Sequence, residues 1–231
     1  MKDEVASSQS DLEMLSVVIE NFYKHLGKTS SIEKDSHYLI SAFKEVDEFW
    51  NANFNLISRL NFVLIGEAPL YKDGKHYFYN PSSGATEFFN YKNCEEICGK
   101  LSAPQKVING RRLRKEEMLA KMQESGILIL DMFPLCLAKD TTAVNYREVS
   151  HKDLKVLFDL VKDNYLLSKL RLLKLKNPRV KFGFRYSNTK TILGPNFEAL
   201  ILRVGFETAD EILSYHSGRV LNGKLIASQL A

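Results

Sequence analysis

The stretch LNFVLIGEAPLYKDGKHYFYNP, residues 60–81, passes from an unbroken apolar run into a loop carrying a carboxylate and three consecutive aromatic rings. The run FVLIG has no polar alternation, so protein must cover both of its faces, as in the central strands of a parallel sheet. Glu67 follows directly, at the mouth of a buried strand, with Tyr77, Phe78 and Tyr79 close behind.

Three further runs have the same character: GILILDMF (126–133), RVKFGF (179–184) and EILSYHS (211–217). Helical patterns fill the gaps, at 86–99, at 111–124, from Ser150 to the Asn177-Pro178 stop, and over PNFEALILRVG. In that last segment Pro195 stands near the start and Gly205 just past the end, the usual asymmetry of a helix. Before residue 60, SDLE reads as a capping box beginning at Ser10, and Leu39, Ala42, Phe43, Val46, Phe49 and Trp50 recur at helical spacing. Strands alternating with helices predict an α/β fold: a three-layer α/β/α sandwich around a central four-stranded, mostly parallel sheet, with added N-terminal helices. All 231 residues fit one domain, 1–60 as a helical segment and 61–231 as the core.

Composition narrows the classes. Hydrophobic content of 45% against 26% charged argues against wholesale disorder. A net charge of +4 permits a nucleic-acid partner without demanding one. Cys94, Cys98 and Cys136 form no disulfide framework, and no second pair completes a metal set. MKDEVASSQS lacks the apolar core of a signal peptide, and no apolar run approaches membrane-span length, so a cytoplasmic location is expected.

In open α/β sheets, ligands bind at the carboxyl ends of the strands. That edge is expected to gather Glu67, Asp131, Arg185, Tyr186 and His216, each following the last apolar residues of its run. A carboxylate there can orient or activate a water, and a second carboxylate or an imidazole can manage the proton or the departing charge. The rings at 77–79 offer faces for a planar guest, although core packing accounts for at least one, because neighbours in an extended segment point to opposite sides. Together these groups suit hydrolysis of a bond beside a flat heterocycle.

Three motifs carry a resemblance. LIGEAP (64–69), LILDMFPLCL (128–137) and SYHSGRVLNGKLIASQL (214–230) resemble, in order and spacing, the signatures of the uracil-DNA glycosylase superfamily, in a divergent branch whose first motif reads glycine, glutamate, alanine, proline. The resemblance implies a four-stranded parallel sheet and cleavage of the N-glycosidic bond of a damaged base flipped out of DNA. Carried over by position, Glu67 activates the attacking water, and His216 hydrogen-bonds the departing base. Phe78 stacks on that base, with Tyr79 and Phe88 as rivals. Asp131 faces its pairing edge, and Ala68 lines the same pocket. Ser217, Arg219 and Arg185 are the expected DNA contacts.

Asp131 departs from the family, which commonly has asparagine there. An ionised aspartate offers acceptors alone and repels uracil's carbonyls. It suits a ring edge with amino or imino donors, or it holds a proton if burial raises its pKa. His216 also lacks the proline that follows the histidine in many relatives.

Two basic clusters are candidates for phosphate contact: Arg111, Arg112, Arg114 and Lys115; and Lys169, Arg171, Lys174, Lys176, Arg179 and Lys181. In the second, interleaved leucines equally suit the solvated face of a helix. His25, His37, His76 and His151 have no partners at ligand spacing. The expectation is a monomeric DNA-directed hydrolase, with no cofactor, no metal cluster and no membrane partner. The alternatives are a non-catalytic nucleic-acid or nucleotide-binding protein on the glycosylase fold, or a hydrolase of small nucleosides.

Overall fold

The computed structural model describes residues 2–69, 71, 75, 77–83, 109–207, 213–214, 216–217, 220–221 and 223–230. Of residues 2–10, 109–114, 213, 214, 216, 217, 220, 221, 223, 225, 229 and 230, only the backbone is described. Phe88, Cys94, Cys98 and Arg219 lie outside the described residues, as does the helix expected at 86–99.

Two long helices open the chain, α1 (Lys2–His25) and α2 (Ile32–Leu56), joined through a short 3-10 turn. The helix runs through Ser10, so the expected cap there is replaced by an earlier start. The core then unfolds as β1 (Phe62–Gly66), α3 (Asn109–Glu124), β2 (Ile127–Asp131), α4 (His151–Val161), a π-helical turn (Lys162–Leu166), α5 (Leu167–Lys176), β3 (Lys181–Phe184) and α6 (Ser187–Val204). Short elements end it: β4 (Leu213–Ser214), β5 (His216–Ser217), β6 (Val220–Leu221) and α7 (Gly223–Leu230).

β1 lies between β2 and β3, parallel to both, with Gly66 opposite Asp131 and Ile65 opposite Phe184. All five residues of β1 are buried, as its uniform apolar run requires. The four-stranded sheet expected is corrected to three full strands. The fourth run contributes an edge piece, Leu213–Ser214, pairing with Gly183 and Phe184. The run is the least apolar of the four, with Ile212 and Leu213 alone between Glu211 and Ser214.

The open edge of β2 is closed by side chains. Tyr79 accepts from the Ile129 N–H at 2.6 Å and donates to the Ile129 carbonyl at 3.0 Å, which also takes the Trp50 indole N–H at 3.0 Å. An unpaired strand edge buried without such partners would leave costly orphan groups.

The helix after β3 begins at Ser187, well before the expected start, and Pro195 lies inside it. It stops at Gly205, whose φ of +82° is the left-handed C-terminal conformation that glycine adopts without strain. Ser150 caps α4 through a capping box with Asp153.

Candidate functional site

The carboxyl edge of the sheet is assembled by register. Because Gly66 pairs with Asp131, Glu67 emerges beside Asp131, and the ladder continues one step through Met132 N–H to Gly66 O (3.1 Å) and Phe133 N–H to Glu67 O (2.9 Å). On the other side, Arg185 N–H bonds Ile65 O at 2.9 Å, setting Arg185 and Tyr186 at the same edge.

Gly66 matters sterically rather than conformationally. A Cβ built on it would come within 2.1 Å of Asp131 Oδ1. The Asp131 side chain therefore lies over a backbone position kept bare. Oδ1 is sealed from solvent and accepts no hydrogen bond, while the residue as a whole keeps partial exposure. Burial pushes the Asp131 carboxyl up to about 7, with the neighbouring Arg185 charge opposing and Glu67 adding to the rise.

Glu67 is better supplied. Thr189, 3% exposed in the first turn of α6, donates its hydroxyl hydrogen bond to Glu67 Oε2 at 3.1 Å. Burial still raises the Glu67 carboxyl above its usual range, and the Thr189 bond partly offsets it. Thr189 escaped the sequence reading because the helix was started at Pro195. The usable signal was the polar run SNTK directly after a strand end.

The rings divide. Tyr77 and Tyr71 stack at 5.8 Å and both donate to Glu45, at 2.9 and 2.6 Å, where Lys75 completes the carboxylate's shell at 2.5 Å. Burial of Glu45 is outweighed by these three donors, which hold it below its usual range. Tyr77 thus latches the loop to α2. Tyr79 serves the β2 edge, and Phe78 packs edge-on to it at 4.9 Å, with Lys115 Nζ 4.8 Å from the Phe78 ring centre. Phe78 and Tyr79 are 2% and 6% exposed. Ala68 is half-buried against the core.

Beside Asp131, Phe78 and Tyr79 lies a cavity of about 20 Å³, also walled by Pro69, Pro134 and Tyr165. That is room for roughly one water. The expected slot for a flat ring is thus closed down to a water-sized void among the described residues.

His216 is placed by backbone alone: it pairs antiparallel with Leu221 in a separate two-stranded sheet, two residues beyond Ser214 in the chain. The side chains of His216 and Ser217 lie outside the described residues. Arg185, expected to contact DNA, is 8% exposed with its guanidinium 4.8 Å from the Tyr186 ring. Burial lowers its pKa, with Tyr186 and Asp131 opposing the fall.

Of the basic clusters, Arg111, Arg112 and Arg114 have no described side chains, Arg171 and Lys181 are exposed, and the others make contacts within the protein. Lys115 is 1% exposed. Lys169 pairs with Asp47 at 2.5 Å and lies 3.8 Å from the Trp50 ring centre. Lys174 bonds Val204 O, Lys176 caps Phe54 O and Ile57 O, and Arg179 pairs with Glu207. The solvated helix face expected as the alternative does not describe Lys169, which is buried.

Among the described residues no helix is long and apolar enough to cross a membrane, and no group of three histidines, cysteines or acids could hold a metal ion. Comparison of the chain with protein-family models, curated proteins and solved structures finds no match.

Proposed function

We propose that the protein is a hydrolase of the DNA-glycosylase type, cleaving the N-glycosidic bond of uracil or a related deaminated base. The observation that carries this is the pair of desolvated carboxyls, Glu67 and Asp131, side by side at the ends of paired strands. Desolvation with a defined partner is the usual mark of a working acid or base. Glu67 takes a proton from water as the water oxygen bonds to the sugar C1′. The C1′–N bond breaks with its electron pair leaving on the base, whose charge His216 stabilises. Phe78 stacks on the base, Ala68 borders it, and Ser217 and Arg219 hold the flanking phosphates. The protein acts as a cytoplasmic monomer on DNA.

The water-sized cavity requires the wall formed by Pro69, Phe78 and Pro134 to yield when a base enters. A second reading is a non-catalytic nucleic-acid or nucleotide-binding protein, and a wall closed to a flipped base favours its nucleic-acid form, with DNA held at the surface. The two are separated by incubating the full chain with oligonucleotides carrying uracil, hypoxanthine or xanthine. Free base should appear, and Glu67→Gln should slow its release by at least ~100-fold. Intact oligonucleotides at high enzyme concentration overturn the hydrolase; salt-sensitive binding without turnover then supports the binder.

A further inference from the structure

Two carboxyls at one strand edge share an electrostatic problem, and this structure solves it asymmetrically. Glu67 Oε2 accepts a hydrogen bond from Thr189, a buried donor at the positive end of α6. Asp131 Oδ1 lies over Gly66 with no donor at all, which leaves Oδ2 as the oxygen able to meet a guest. Hydrogen bonds to a carboxylate favour its charged form, and their absence favours the acid. Like charges in adjacent desolvated positions disfavour double ionisation, so the two groups titrate as a pair.

We infer that Thr189 makes the two strand-end carboxyls unequal, holding the charge on Glu67 and leaving the proton on Asp131, so that Asp131 meets a bound base as a hydrogen-bond donor and the site takes bases that present a ring carbonyl. The choice of base rests on the glycosylase function proposed above; the placement of the proton does not. A proton on Oδ2 makes that oxygen a donor, which a ring carbonyl of uracil or hypoxanthine accepts, whereas the ionised form repels that carbonyl.

The surroundings of Asp131 leave few competitors for the proton. Glu67 faces it from the end of β1, and Arg185 and Tyr186 from the exit of β3. Tyr79 comes from the aromatic loop, Cys136 and Tyr146 from the segment after β2, and Tyr165 from the π-turn, where its hydroxyl donates to the Asp131 carbonyl at 3.3 Å. Asp47 of α2 lines the same cavity and is held by Lys169. Burial pushes all four tyrosines and the thiol upward, so they stay neutral, and Arg185 stays cationic. Thr189 is accordingly a positioning residue, acting through Glu67.

The test is a carbon-13 NMR titration of the full chain labelled at aspartate and glutamate carboxyls, assigned with Asp131→Asn and Glu67→Gln. In the wild type, Asp131 should titrate at higher pH than Glu67. Thr189→Val, nearly isosteric in its buried site, should move the Glu67 midpoint upward and narrow the gap, and Thr189→Ser should restore it. Equal midpoints in wild type and Thr189→Val, or Glu67 titrating above Asp131, overturn the inference without any need for turnover. A second arm measures release of uracil and hypoxanthine against pH. The rate should fall about tenfold per pH unit above the Asp131 midpoint, and Asp131→Asn should flatten that limb. A flat wild-type profile overturns the carbonyl selectivity. No release at any pH overturns the glycosylase function, while the titration still decides where the proton sits.

Discussion

Replacing Asp131 with asparagine keeps the side chain's shape over Gly66 and removes its ability to ionise. In the folded protein the Asp131 carboxyl is raised from 3.8 to about 7. Below the unfolded value both states hold the proton, and the aspartate imposes no ionic cost. Between the two values the unfolded chain releases its proton while the folded chain keeps it, so stability falls as pH rises. Above about 7 the folded protein must bury the carboxylate, and the full cost is present.

At about 1.4 kcal/mol per pH unit, the whole rise corresponds to about 4 kcal/mol. Roughly 3 kcal/mol of it accrues between about pH 5 and about pH 9. Asp131→Asn should therefore gain stability over the wild type by that increment across the same interval. Glu67 is present in both proteins, so its own titration largely cancels. The assay is urea unfolding of both proteins at about pH 5, 7 and 9, with the difference in unfolding free energy compared at each. A difference that stays constant with pH, or shrinks as pH rises, refutes the assignment of a buried, poorly solvated carboxyl at this position.

Three other substitutions probe the supports around the site. Gly66→Ala drives a methyl to 2.1 Å from Asp131 Oδ1 and should cost about 1–3 kcal/mol in chemical denaturation, with most of that loss recovered when Asp131→Ala is added. Tyr79→Phe leaves the Ile129 N–H without its acceptor, so it should cost about 1–3 kcal/mol and speed hydrogen exchange at the Ile129 amide. Lys169→Met leaves Asp47 with the Asn51 amide but no counter-charge and should cost about 3–5 kcal/mol, whereas Lys169→Met with Asp47→Leu should be far milder; equal losses would show that the pair is not coupled.

The first three strands were legible because each is covered on both faces and so reads as a continuous apolar run. The fourth was only partly so: periodicity cannot say how many residues of EILSYHS find a partner, and two of them, Leu213 and Ser214, pair with β3. Pro195 reads as a first-turn residue, but the chain carries it inside a longer helix, so the proline does not mark the first turn that holds Thr189. Glu67 and Asp131 were legible as strand-end residues, since parallel register brings such positions together regardless of their distance in the chain. The division of labour among Tyr77, Phe78 and Tyr79 was not, because alternation says which way a ring points and nothing about where its hydroxyl finds a partner. Glu45 and the Ile129 backbone, the partners of two of them, lie 32 and 50 residues away.

How the chain treats its other buried charges bears on whether the strand-end carboxyls are a packing accident. Glu45 receives three donors, Asp47 receives the Lys169 ammonium, and Asp35 receives Tyr23 at 2.8 Å and the Ala143 N–H at 2.7 Å. Each of these three carboxylates is held by side-chain or backbone donors. Asp131 breaks that habit, with an oxygen sealed and unbonded over a glycine that must stay bare. A structural role would be met more cheaply by an apolar residue of similar size, because an unmet buried acceptor costs stability and returns nothing to packing. Local violations of this kind are tolerated where a side chain must meet something the resting protein does not contain. Under the glycosylase function proposed above, Asp131 over the bare Gly66 is the group that meets the guest, and the neighbouring Glu67, held by Thr189, is the base.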